Sequence, residues 1–157
     1  MNTPLARATL VGVATGSPDG GVAIIRLSGP DARAVAQRTL RGAWPEARRA
    51  SVRRLGAPVA EARRATPGET EDGGGVEQAV VLWMPGPASF TGEDVVELHV
   101  HAGARNVEQV VGWLMDAGAQ AAQAGDFTRR AFEYGRLTLD QAEGIAAVIG
   151  AQTQAEL

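Results

Sequence analysis

The stretch "SFTGEDVVELHVHAG", residues 89–103, decides how the chain is read. Taken as an extended strand from about Asp94 to His101, it places Glu97, His99 and His101 on one face, because side chains alternate with a period of two. The chain has only two histidines, and both lie in this strand. Three readings follow: a zinc site, an acidic group facing an organic ligand, or a strand with a solvated polar face. His-x-His on a strand is a known zinc geometry, since residues i and i+2 sit roughly 6.5–7 Å apart. No distant fourth ligand of obvious spacing accompanies it. The flanking "SFTGED" combines a glycine with two acids, which suits a tight turn presenting groups to a ligand.

Working back towards the N-terminus, "VEQAVVLWM" (76–84) reads as a buried strand ended by "PGP". Before it, "APVAEARRATPGETEDGGG" (57–75) has no periodicity and reads as an exposed loop, and 51–55 as a further strand. "ATLVGVATGSPDGGVAIIRLSG" gives two apolar runs, 8–14 and 22–28, joined by a turn cluster and so predicted to form a hairpin. Arg26 interrupts the second run on the face of Val22 and Ile24, where a charge must reach solvent or pair with an acid. "GPDARAVAQRTLRG" predicts a helix with Pro30 at its first position, Gly42 at its end, and Ala32, Val35, Ala36 and Leu40 on one face.

Towards the C-terminus, "ARNVEQVVGWLMDAG" (104–118) predicts a helix with Val107, Val110, Val111, Leu114 and Met115 inward and Gly118 as its stop. A short helix over "AGDFTRRAFEYG" has Asp126 as a candidate cap and Gly135 as its end. Thr138 and Gln141 have the spacing of a capping box. The helix they open carries Leu139, Ala142, Ala146 and Ile149 as an apolar stripe that still needs a partner. It reads as the start of a further domain, with residues 1–137 and 138–157 as the division.

Composition removes several chemistries. The 157 residues suffice for one domain with a real core, and 45% hydrophobic content excludes a disordered chain. There is no cysteine, so disulfides, thiolate metal sites and cysteine nucleophiles are excluded. There is also no lysine, every one of the 15 basic residues being arginine. A phosphate-binding loop ending G-K-S/T is therefore impossible within the chain. The net charge of −3 argues against a stand-alone nucleic-acid binder. Doublets at Arg48–Arg49, Arg53–Arg54 and Arg63–Arg64 make a local basic cluster, read as a solvated face or as a tRNA contact. No apolar run approaches membrane-spanning length, and a cytoplasmic location is expected.

Arg26, Glu97 and Arg136 (in "EYGRLTLD") together would suit a ligand with paired ring N–H donors and an anionic tail, because a carboxylate accepts paired donors and a guanidinium forks onto carboxylates. Ordinary surface ion pairs would give the same residues.

"GVAIIRLSGP", "FTGEDVVELHVHAG" and "AGDFTRRAFEYGRLTLDQAEGIAAVI", in that order and spacing, resemble the N-terminal domain of the tRNA-modification GTPase family (MnmE/TrmE). The resemblance implies an α+β fold with a mixed, largely antiparallel sheet and flanking helices, related to the folate-binding module of the glycine-cleavage aminomethyltransferase. It implies a homodimer that binds a tetrahydrofolate derivative, in the 5-formyl or methylene form, with Arg26, Glu97 and Arg136 as cofactor contacts. It further implies membership of a larger hydrolase that uses GTP, magnesium and potassium outside this chain. With a flavin-dependent partner protein, that enzyme modifies C5 of the wobble uridine of tRNA. The chain departs from the family at "GSPDGG" for "PPGRGG", "LHVHAG" for "LQGHGG", "QAGDF" for "RPGEF", and at Arg136, commonly lysine. The lost glycines raise an alternative: a dimerisation scaffold that no longer binds folate.

Overall fold

The computed structural model describes residues 8–15, 20–58 and 76–150. In chain order the elements are β1 (Leu10–Val13), β2 (Val22–Ser28), α1 (Ala32–Thr39), β3 (Leu40–Arg41), β4 (Ser51–Leu55), β5 (Glu77–Met84), β6 (Val95–His101), α2 (Ala104–Asp116), β7 (Gln120–Ala121), α3 (Asp126–Glu133) and α4 (Leu139–Gly150). Among the described residues the strands form one sheet in the order β3-β4-β5-β6-β2-β1-β7. Every pairing is antiparallel except the parallel contact of β1 with β7. This is the α+β architecture expected from the sequence.

One sheet face makes the core. Ala23, Ile25 and Leu27 of β2, Val96, Leu98 and Val100 of β6, and Ala79, Val81 and Trp83 of β5 are buried together. They pack with Val35 and Ala36 of α1 and with Val110, Trp113 and Leu114 of α2. Each fully buried aliphatic side chain contributes about 1.5–3 kcal/mol, so this layer dominates the stability of the domain. The opposite face carries Val22, Ile24, Arg26, Val52, Val80, Glu97 and His99. Val22 and Val52 are each 55% exposed there.

Several local expectations change. The first helix ends at Thr39, and Leu40 is buried as the first residue of β3 rather than on a helix face. Pro30 lies in the preceding turn. The Asp31 side chain makes no cap; its backbone N–H instead donates to Thr9 Oγ1 at 2.9 Å. Strand β5 is buried on one face only, with Val80 facing outward. Met115 is exposed while Trp113 enters the core, since the helix rotates its aromatic residue inward. Gly125 is the N-cap of α3, and Asp126 is its first helical residue, accepting the Gln123 N–H at 2.7 Å. The predicted 57–75 loop and 16–19 turn fall almost wholly outside the described residues.

The capping box at the start of α4 forms as read. Thr138 N–H donates to Gln141 Oε1 at 2.9 Å and Gln141 N–H to Thr138 Oγ1 at 3.3 Å. Leu139 and Ile149 of its apolar stripe remain exposed.

Candidate functional site

Antiparallel pairing sets Arg26 of β2 directly opposite Glu97 of β6. Arg26 donates from Nε at 2.9 Å and from Nη2 at 2.8 Å, both to Glu97 Oε1. The other carboxylate oxygen, Oε2, lies 3.5 Å from His99 Nε2, which has no hydrogen-bond partner. Both side chains of the ion pair are mostly covered, so their attraction is screened less than a surface pair's.

Two aromatic rings flank the guanidinium. Arg26 Cζ lies 5.1 Å from the centroid of Phe90 and 5.5 Å from that of Phe127. Each is within cation–π range, and such contacts contribute about 0.5–2 kcal/mol. Arg26, Phe90 and Phe127 line a cleft of about 720 Å³ with Gly12, Gln123 and Ile149. A Cβ at Gly12 would come within 3.1 Å of Ala122 Cβ and 3.2 Å of Phe127 Cε2, so the bare backbone leaves room for that ring. A second, smaller depression of about 360 Å³ lies among Val22, Val52, Gln78, Val80 and His99. Glu97 itself lines neither hollow; its Oε1 is held by Arg26 of the cleft and its Oε2 is nearest His99 of the depression. A third hollow of about 430 Å³ along α4 is almost wholly apolar and offers little for recognising a polar ligand.

The two acids of "SFTGED" turn inward instead of facing a ligand. Glu93 Oε2 accepts from Ser28 Oγ at 2.8 Å and from Arg130 Nη1 at 2.9 Å. Arg130 also donates to the carbonyls of Ser28 at 3.1 Å and Ala8 at 2.6 Å. Asp94 Oδ1 accepts the Gly86 N–H at 2.9 Å. The group that the turn holds over the cleft is Phe90, which sequence reasoning passed over together with Phe127 and Arg130. The Tyr134 phenol is raised above its ordinary pKa, first by burial, then by the charge of Glu93 and a hydrogen bond to it.

Arg136 is exposed. Its aliphatic stem packs over Gly92, where a Cβ would sit 3.2 Å from Arg136 Cγ. The structure brings Arg26 and Glu97 into contact and sets the stem of Arg136 against Gly92 of the turn that carries Phe90. The three candidate zinc ligands do not converge. His101 Nδ1 is 2.7 Å from Glu77 Oε1, away from Glu97. Among the described residues no three His, Asp or Glu side chains gather as a metal site.

The arginine doublets also resolve into separate tasks. Arg48 donates to the carbonyls of Ala88 at 2.7 Å and Pro85 at 3.1 Å, bracing the approach to the Phe90 turn. Arg49 pairs with Glu46, and Arg53 donates to the Ala43 carbonyl. Arg63 and Arg64 lie outside the described residues. No helix of the described residues is long and apolar enough to cross a membrane.

Residues 9–136 match the family described as "GTP-binding protein TrmE N-terminus". Similar curated proteins include the tRNA modification GTPase MnmE of Rhodospirillum rubrum, 48% identical over 94% of this chain and 32% of its own length. The MnmE proteins of Symbiobacterium thermophilum (42% identical, 92% of this chain, 30% of its own length) and Phenylobacterium zucineum (45%, 94% and 30%) are comparable. The chain thus spans about a third of the length of these relatives. A match of this extent, on the fold described, makes the chain a member of the MnmE/TrmE tRNA-modification GTPase family, corresponding to its N-terminal domain.

Proposed function

We propose that this chain binds a reduced folate, in the 5-formyl or methylene form, and dimerises, within a cytoplasmic GTPase that modifies C5 of the tRNA wobble uridine with a flavin-dependent partner. The observation that carries the reading is the Glu97 carboxylate, with Oε1 held by Arg26 and Oε2 left without a strong donor. The free oxygen can accept one N–H of a pterin ring edge, and a paired contact would have Arg26 give up part of its hold on Oε1. The residues fit the group in other respects. Two phenylalanines line the adjacent cleft, and its volume of about 720 Å³ lies in the range of cofactor pockets.

Within this reading Glu97 orients the ring, Arg26 holds Glu97 and supplies positive charge, and Arg136 meets the anionic tail. The bound folate would supply a one-carbon unit. GTP, magnesium, potassium and tRNA chemistry belong to segments outside this chain.

The open sheet face favours dimerisation. Val22, Val52 and Val80 stand exposed beside His99, an apolar strip that a second copy would cover. The scaffold reading shares this face and differs only in lacking the ligand.

Titration calorimetry with 5-formyltetrahydrofolate separates the two. Saturable binding that Glu97→Ala removes without unfolding supports the folate reading. A folded Glu97→Ala with unchanged affinity would sink the assignment of Glu97. A folded, dimeric wild type that gives no heat favours the scaffold.

A further inference from the structure

We infer that the buried Glu93–Arg130 pair is a positioning staple for the candidate site, fixing the distance between the two phenylalanine rings that enclose the Arg26 guanidinium. Its consequence for affinity rests on the folate reading above; its geometry does not.

Three elements meet at Glu93. Phe90 and Glu93 belong to one turn, three residues apart. Phe127 and Arg130 belong to α3, also three residues apart, so they project from neighbouring positions on one helix face. Arg26 and Ser28 project from the same face of β2. Glu93 Oε2 receives Arg130 Nη1 at 2.9 Å and Ser28 Oγ at 2.8 Å, and Ser28 Oγ lies 2.7 Å from Thr91 Oγ1. Turn, helix and strand are therefore tied at a single carboxylate oxygen behind the rings. In front of it, Phe90 and Phe127 stand 5.1 and 5.5 Å from Arg26 Cζ.

The pair is almost fully enclosed, with side chains 2% and 6% exposed. A buried ion pair is a poor source of net stability, because apolar replacements of similar volume often do as well. Its particular contribution is direction. Hydrogen bonds of set length and angle hold α3 against the turn at one separation, which apolar contact alone leaves free to slide. Arg26 in turn fixes Glu97, so the staple reaches the ligand-facing carboxylate through the rings and Arg26. Glu93 and Arg130 are positioning residues and touch no ligand themselves.

The chain has three phenylalanines, the third being the exposed Phe132, so fluorine NMR of protein labelled with 4-fluorophenylalanine reads the rings directly. In Arg130→Met and in the milder Glu93→Gln, the Phe90 and Phe127 signals are expected to shift and broaden by more than that of Phe132, which rides solvent-exposed on the same helix. Affinity for 5-formyltetrahydrofolate is expected to fall about tenfold, and this loss to vanish in a Phe90→Leu/Phe127→Leu background, as coupling through the rings requires. Unmoved Phe90 and Phe127 signals in a folded variant overturn the proposal, as does a loss fully additive with the ring substitutions. If Arg130→Met does not fold, Glu93→Gln decides. If the wild type ignores folate, the folate reading fails and the fluorine signals alone decide the staple.

Discussion

Arg26 places both Nε and Nη2 on the same oxygen of Glu97, leaving the second oxygen turned towards His99. The pair is thus asymmetric. One oxygen is neutralised within the protein, and the other keeps its capacity to accept a hydrogen bond.

The asymmetry gives Arg26 and Glu97 different mutant behaviour. Arg26→Met strands a mostly covered carboxylate and is expected to cost about 1–3 kcal/mol in urea denaturation. Glu97→Gln keeps the shape, with little loss of stability, but is expected to weaken 5-formyltetrahydrofolate binding at least about tenfold, or ~1.4 kcal/mol. Equal stability losses in the two variants would contradict this division of roles.

Val80 points from the open sheet face and is 38% exposed, so the isolated fold tolerates a charge there. Val80→Glu combined with Val52→Glu is expected to turn a dimer into a folded monomer, read by light scattering with circular dichroism unchanged. A dimer that survives both charges would place the interface elsewhere.

Gly29 follows β2 with φ +144°, and a Cβ there would lie 2.6 Å from Thr9 Cα, a backbone atom that cannot move aside cheaply. Gly29→Ala is expected to cost on the order of 3 kcal/mol from strain and clash together. Gly42 has φ +89° with open space around it, so Gly42→Ala should cost only about 1–2 kcal/mol. Thermal denaturation of the two variants reads the difference.

Tyr134 is the only tyrosine, so alkaline absorbance at the phenolate band reports on it alone. Its midpoint is expected above the ~10 of free tyrosine. A raised folded-state value means that the associated stability is complete below the unfolded value and is lost as pH rises through the folded one. Glu93→Gln removes the repelling charge and should lower the midpoint, with the part due to burial remaining.

The fold was legible where periodicity is strong. The runs at 22–28, 77–84 and 95–101 became the central strands because alternation matches a half-buried sheet, and the Thr138–Gln141 box formed as spaced. Where one short segment changes type, local pattern failed. Leu40 fits the helical stripe of α1, yet antiparallel pairing with Leu55 captures it for β3. The two-residue strand β7 carries no periodicity at all. Its pairing comes from where α2 delivers the chain beside β1.

The candidate site divides in the same way. Residue chemistry left Arg26, Glu97 and Arg136 open between a ligand set and ordinary surface ion pairs, and the family resemblance chose the ligand set. The sequence determined the strands, the absence of lysine and cysteine chemistry, and the motifs that place the chain in its family. Only the tertiary structure decided that the stem of Arg136 lies against Gly92, that His101 turns to Glu77, and that Phe90 and Phe127 close on Arg26. Those outcomes depend on the distance between elements far apart in the chain. Packing and the buried Glu93–Arg130 contact set that distance, and no local pattern encodes it.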